Sequence, residues 1–218
     1  MILNFHGIGT CVRPFEPDEK PYWISIDLFE NILGWVKQQA RPVRMSFDDG
    51  NVSDYTLALP RLTACRTGAD FFVLAGKIGQ KGYLDATQIR EISDTQGCRI
   101  GSHGLHHRAW PDISADNQYA EIYQSRSILE DIIQRPVIAA ALPFGRYNRQ
   151  TLRLLKQAGY QEIYSSDGIS TARASVPAPR FSITSQTSLP RVELLAQENA
   201  NKLARWRQQL RVWIKAHG

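Results

Sequence analysis

Short apolar runs alternate along the chain with longer stretches whose hydrophobic residues recur every three or four positions. That alternation predicts strand, helix, strand, helix through most of the sequence. Ile2 to Phe5 reads as a first strand, ending at His6-Gly7, and a loop rich in proline, glycine and charge then runs to Pro21. Ser25 is an N-cap for a helix whose Ile26, Phe29, Ile32, Leu33 and Val36 share one face up to about Gln39. Arg41-Pro42 ends that helix, and a strand follows into Phe47. Ser53 or Asp54 caps a helix through Leu57 and Leu62, and Ala69 to Leu74 is a short apolar strand. A further helix begins at Asp85 or Thr87, and Cys98-Arg99-Ile100 is the next strand. Asp112 or Ser114 opens a long helix carrying Tyr119, Ile122, Ile128, Leu129 and Ile132. Val137 to Leu142 is a buried strand halted by Pro143. Asn148 to Ala158 is a helix closed by Gly159, and Glu162-Ile163-Tyr164 is one more strand.

This order predicts an α/β protein with a parallel sheet and covering helices, open or closed into a barrel. Residues 1–198 are expected to form that domain. Within 199–218, Leu203, Trp206, Leu210 and Trp213 keep helical spacing among Lys202, Arg205, Arg207, Arg211 and Lys215. A basic amphipathic helix is expected there, docked on the domain or on a partner, with membrane-surface contact as the alternative.

Composition narrows the class without fixing a function. With 218 residues, 43% hydrophobic and 22% charged, the chain can bury one sizeable core. The net charge of +5 is concentrated after Glu198, and no nucleic-acid motif accompanies it, so no nucleic-acid partner is expected. No run approaches the roughly 18 apolar residues of a membrane span. Met1 leads directly into strand-like sequence without a signal-peptide pattern. Cys11, Cys65 and Cys98 lack the spacing of a zinc knuckle or a disulfide framework. A cytoplasmic location with reduced thiols is the expectation for the chain as it stands.

Chemistry enters at Ser46-Phe47-Asp48-Asp49-Gly50 and at Ser102-His103-Gly104-Leu105-His106-His107. Two adjacent carboxylates at a strand end repel one another and point to opposite faces, which does not help a fold. His6, Asp48, Asp49, His103 and His107 all follow the C-terminal ends of predicted strands, the edge where parallel α/β folds build their sites. On a helical turn His103 and His107, four residues apart, would aim their imidazoles the same way. With one aspartate they make a three-ligand divalent-metal site, zinc being the expected ion, and the other aspartate is free as a base. Such a site lowers the pKa of bound water and polarises a carbonyl. His106 could replace His107, at a less suitable spacing of three.

These stretches resemble the signatures of polysaccharide deacetylases, the NodB-homology family of carbohydrate esterases (family 4). Ser46 to Gly50 is similar to the first motif, and Gly101-Ser102-His103 through His107 to the second. Leu142-Pro143-Phe144-Gly145 with Tyr147-Asn148 is similar to the third. The resemblance implies a distorted (β/α) barrel, often seven-stranded, that removes acetyl from an N-acetylated sugar. It implies Asp48 as base, Asp49, His103 and His107 as metal ligands, and the Phe144 N–H, beside Pro143, as an oxyanion donor. Two departures stand out: Ala141 occupies the place of a family arginine that orients the base, and no Leu-x-His follows near the C-terminal end. Leu3-Asn4-Phe5-His6 resembles instead the N-terminus of a circularly permuted subgroup acting on poly-N-acetylglucosamine, in which that histidine is the acid and the arginine is commonly absent. Asp167 could line the site or serve a turn, and Trp110 could stack on a sugar or pack at the rim. The glycan-deacetylase expectation competes with a catalytically impaired relative that binds glycan or a partner, suggested by Ala141, and with an amidase acting on a non-sugar amide.

Overall fold

The computed structural model describes residues 1–168 and 176–198. The strands and helices are β1 (Ile2–Phe5), β2 (Gly7–Ile8), β3 (Trp23–Ile24), α1 (Ile26–Lys37), β4 (Arg44–Asp49), α2 (Leu59–Ala64), β5 (Asp70–Val73) and α3 (Ala86–Asp94). They continue as β6 (Arg99–Ser102), α4 (Ala115–Tyr119), α5 (Ser125–Ile133), β7 (Ala139–Ala141), α6 (Arg149–Gln157), β8 (Glu162–Ser165), β9 (Ala178–Pro179), β10 (Phe181–Ser182) and α7 (Leu189–Glu198). The main sheet is parallel and eight-stranded, in the order β10-β1-β4-β5-β6-β7-β8-β9. Its two end strands are consecutive pieces of one segment, interrupted only at Arg180. Through Ala178–Ser182, β8 is therefore joined to β1 and the sheet becomes a barrel. The barrel matches the sequence expectation, with eight strands in the sheet in place of the seven that the family resemblance implied. The closing segment does not appear among the elements read from the pattern, nor do β2, β3 and α7. The basic helix expected over 199–218 lies outside the described residues.

The two-residue repeat of strands divides each one between two environments. Met45, Phe47, Phe71 and Ile100 belong to the large core that also takes in Phe29, Ile32, Leu62, Ile92 and Leu129 from the helices. Phe5, Phe47 and Phe71 stack in a row across the neighbouring strands β1, β4 and β5, with ring centroids 5.2 and 4.9 Å apart. The alternate positions fill the barrel. A separate small cluster of Phe72, Ala139, Ala141 and Tyr164 occupies its middle. Gly101 makes room there, since a Cβ would come within 2.5 Å of the Phe72 ring.

At the N-terminal end of the strands the barrel is floored by charge. Arg44 reaches Asp70 and the Tyr164 hydroxyl, each at 2.7 Å, and Arg99 reaches Asp70 at 2.7 Å and Glu162 at 2.9 and 3.1 Å.

Helix starts follow the expected chemistry where a short polar side chain can accept from the first turn. Ser25, Asp85, Ser114 and Asn148 each do so, Asp85 within a capping box with Gln88. Two helical stretches depart from regular periodicity. Residues Asp54–Ala58 and Ala120–Gln124 form π-helical turns, so the long helix expected after Ser114 is α4 and α5 joined through the second of them. Asp54 caps nothing: it is buried inside the first π turn, and Ser53 instead accepts from the Ile8 N–H.

Candidate metal and catalytic site

β4 extends through both aspartates and delivers them to the C-terminal mouth of the barrel. Alternation alone would turn Asp49 away from Asp48. The backbone prevents this: Asp49 has φ 76°, in the left-handed region, followed by Gly50 at φ 70°. Both carboxylates consequently face the histidine loop. His107 (φ 54°) and Phe144 (φ 56°) carry the same unusual backbone, so three of the six non-glycine residues with positive φ among the described residues are predicted site residues. Such conformations cost about 1–3 kcal/mol each and persist where the surroundings over-determine them, most often at functional sites.

Asp49, His103 and His107 each place one ligand atom within 4.8 Å of the others. Asp49 Oδ1 lies 3.6 Å from His103 Nε2 and 3.8 Å from His107 Nε2, and it is buried with no hydrogen-bond partner. An orphaned carboxylate oxygen between two imidazole nitrogens is costly by itself and fits a shared cation. His103 Nδ1 is 2.9 Å from the Ala141 carbonyl, which requires that nitrogen to donate and leaves Nε2 free as a ligand atom. Burial pushes the His103 imidazole down to about 3 and lowers His107 as well, so both rings are neutral. His106 does not join them. It is exposed, against Gly76, where a Cβ would meet its ring at 2.8 Å.

Asp48 sits one step deeper, with Oδ2 3.9 Å from His103 Nε2. Burial alone would raise its carboxyl, but the Arg180 guanidinium, aided by His103 and His6, holds it well below the usual carboxylate range. Arg180 is wholly buried and bidentate, donating from Nη1 to Oδ1 at 2.7 Å and from Nη2 to Oδ2 at 2.8 Å. Asn4 Nδ2 donates to the same Oδ2 at 2.9 Å, while Asn4 Oδ1 accepts from Ser46 and Arg180. Asp48 thus has an arginine partner despite Ala141, and it comes from the barrel-closing segment. Asp49, without such a partner, is pushed up to about 6 by burial and by the neighbouring Asp48 charge, against the opposing pull of His6.

His6 follows β1 at the same mouth. Its Nε2 is 4.0 Å from Asp48 Oδ2, and its ring packs on Tyr22 at 4.6 Å. Phe144 lies against the His107 ring at 4.3 Å and remains 59% exposed, on the tight turn begun by buried Pro143. One prediction gives way to its plainer alternative. Trp110 has no exposed surface and belongs to the core, so it offers no face to a sugar. Asp167 accepts from the Tyr147 hydroxyl at 3.0 Å and from Ser165 at 2.8 Å, which ties it into the turn after β8.

A model of the polysaccharide deacetylase family matches residues 36–163. The chain is 29% identical over 175 residues to YxkH of Bacillus subtilis (strain 168), named as a polysaccharide deacetylase. That match covers 73% of this chain and 62% of its relative's length. Among solved structures, the Streptococcus pyogenes deacetylase PplD in complex with acetate superposes with a TM-score of 0.76 at 23% identity, covering 89% of this chain and 96% of that one. IcaB from Ammonifex degensii gives 0.70 at 22%, covering 90% and 96%. A de-N-acetylase from Aggregatibacter actinomycetemcomitans gives 0.74 at 15%, covering 89% and 98%. These likenesses show a shared fold.

Proposed function

Because the chain belongs to the polysaccharide deacetylase family, we propose that it hydrolyses the N-acetyl group of an N-acetylated amino sugar within an oligo- or polysaccharide. The observation that carries the reading is the orphaned Asp49 oxygen between two neutral imidazoles, with an ionised, arginine-held Asp48 beside it. Asp49, His103 and His107 would hold a divalent cation, and two nitrogens with one carboxylate suit zinc. Such an ion supplies Lewis acidity, making water a better nucleophile near neutral pH and polarising the acetyl carbonyl.

The chain's own residues supply the proton transfers and the positioning. Asp48, fixed by Arg180 and Asn4, accepts the proton of the attacking water as oxygen adds to the acetyl carbon. The backbone N–H of Phe144 donates to the developing oxyanion. His6 gives a proton to the amide nitrogen as the carbon–nitrogen bond breaks, releasing acetate and a free amine. The exposed Phe144 ring offers an apolar face for a sugar at the rim. The impaired-relative reading rested on the missing arginine, and Arg180 removes that motive.

Incubating the zinc-loaded protein with N-acetylglucosamine oligomers, and separately with simple acetylated amines, tests the reading by acetate release. Acetate from the oligomers supports it. Turnover confined to the simple amides would make the protein an amidase of another kind, and no turnover on either panel would refute the reading.

A further inference from the structure

The histidine loop is held by a carboxylate that none of the motifs contains. Glu121 is buried, and its Oε2 accepts from the N–H of Leu105 at 2.6 Å and of His106 at 3.1 Å, with Oε1 3.2 Å from the latter. Gly104, at φ 87°, is required at this closeness because a Cβ would stand 2.6 Å from Glu121 Oε2. With His107 also left-handed, consecutive N–H groups turn inward and make a small anion-binding concavity, which the carboxylate fills. Glu121 itself is placed by the π-helical turn Ala120–Gln124. Turns of this kind insert one extra residue and are frequent at functional sites.

The same turn closes a ring of hydrogen bonds on the residues flanking His103. Ser125 Oγ donates to the Glu121 backbone carbonyl at 2.5 Å and pairs with Ser102 Oγ at 2.8 Å. Ser102 Oγ in turn accepts from the Gly104 N–H at 3.1 Å. From the other side, Ala75 and Gly76 donate to the Gly104 and Leu105 carbonyls at 2.8 and 3.1 Å. His103, directly after β6, is therefore fixed by its N–H to the Val73 carbonyl at 2.9 Å and by Ala141, whereas His107 lies beyond the loop and depends on the loop's conformation.

We propose that Glu121 is a positioning residue for the metal site, setting the place of His107 relative to His103 and Asp49 through the backbone of Leu105 and His106. This rests on the reading of Asp49, His103 and His107 as ligands. Removing the carboxylate would orphan two backbone donors beneath the loop and release the strained turn that presents His107. A carboxamide of the same length keeps an acceptor oxygen but loses the charge-assisted pair, so Glu121→Gln preserves the fold better than Glu121→Ala.

The test is zinc affinity, measured by competition with a chromophoric chelator on wild-type protein, Glu121→Gln, His107→Ala and the double variant. Thermal unfolding of each metal-free protein is followed in parallel. Glu121→Gln is expected to weaken zinc binding about 10–100-fold, the usual scale for a residue that orients a ligand. In the His107→Ala background the same change should have little further effect. Unchanged zinc affinity in folded Glu121→Gln, with only a lowered unfolding temperature, would reduce Glu121 to a structural cap and overturn the inference. An equal loss with and without His107 would overturn it as well. A wild-type protein that binds no zinc would refute the metal reading itself, and the inference with it.

Discussion

Replacing Arg180 with methionine, which keeps the stem but removes the charge, should destabilise the protein in a pH-dependent way. The guanidinium makes three contacts under 3 Å, two to Asp48 and one to Asn4, and it is fully enclosed. Breaking a buried pair of this kind costs about 3–5 kcal/mol, because the remaining charge is left uncompensated. For a domain of this size that is a fall of about 6–20 °C in Tm. In the wild type the depressed Asp48 carboxyl contributes stability that is present above its unfolded pKa of about 3.9 and lost as pH falls toward its folded value. Without Arg180, burial dominates and the carboxyl rises. Asp48 then costs stability increasingly as pH climbs above about 4. The gap between the two proteins should be largest at pH 7.5, smaller at pH 4, where only the variant's burial penalty has gone, and should keep narrowing below pH 4 as the wild-type contribution is lost, read by circular dichroism melts of metal-free protein. Arg180→Lys should fall between, since one ammonium cannot reproduce the two-pronged contact. An equal loss at both pH values would mean that Arg180 acts by packing its planar head over Phe72, 5.0 Å away, and the electrostatic argument would be wrong.

Other consequences follow from the same geometry. His103→Ala, His107→Ala or Asp49→Ala should weaken zinc binding well beyond the effect of Glu121→Gln, enough for protein purified without added zinc to be metal-free by metal analysis with the fold retained, whereas His106→Ala should keep the metal. His6→Ala should retain zinc but lose roughly 10²–10⁴-fold in turnover, with the basic limb of the pH–rate profile lost as well. Asp54 is buried with both carboxyl oxygens unpartnered, and burial beside Asp49 and Asp48 raises its carboxyl well above the ordinary range. Its contribution to stability is fully present below about pH 4 and is lost as pH rises toward its folded value. Asp54→Asn should therefore stabilise by roughly 1–3 kcal/mol at pH 7.5 and hardly at all at pH 4, as denaturant melts would show.

What the sequence made legible was what it carries locally. Each site histidine and aspartate follows an apolar run, so the shared strand edge was visible before any contact was known. The relation between Asp48 and Asp49 was not, because alternation predicts opposite faces and only the left-handed φ at Asp49 reverses it. Arg180 stands 132 positions from Asp48, in a segment where Pro177 and Pro179 suppress every strand signal. Nothing local marks it as a partner. The one signal is general: a buried, ionised strand-end aspartate is expected to be paired, with no indication of where along the chain its cation stands. Glu121 reads as an ordinary surface glutamate under a period of 3.6, and it is the π turn that carries it inward. Trp110 erred in the other direction, since proximity to the histidines in sequence suggested a rim while the fold places it in the core.

The central claim is that Asp48 is the base of a zinc-dependent deacetylase whose metal is held without it. Acetate release from an N-acetylglucosamine oligomer, measured for wild-type and Asp48→Asn protein of equal zinc content, tests this most directly. The account predicts one acetate per amine formed by the wild type and turnover at least about 10²-fold lower in Asp48→Asn, with zinc still bound. Loss of zinc along with activity would make Asp48 a ligand, and undiminished turnover would remove it from the reaction; either result contradicts the account.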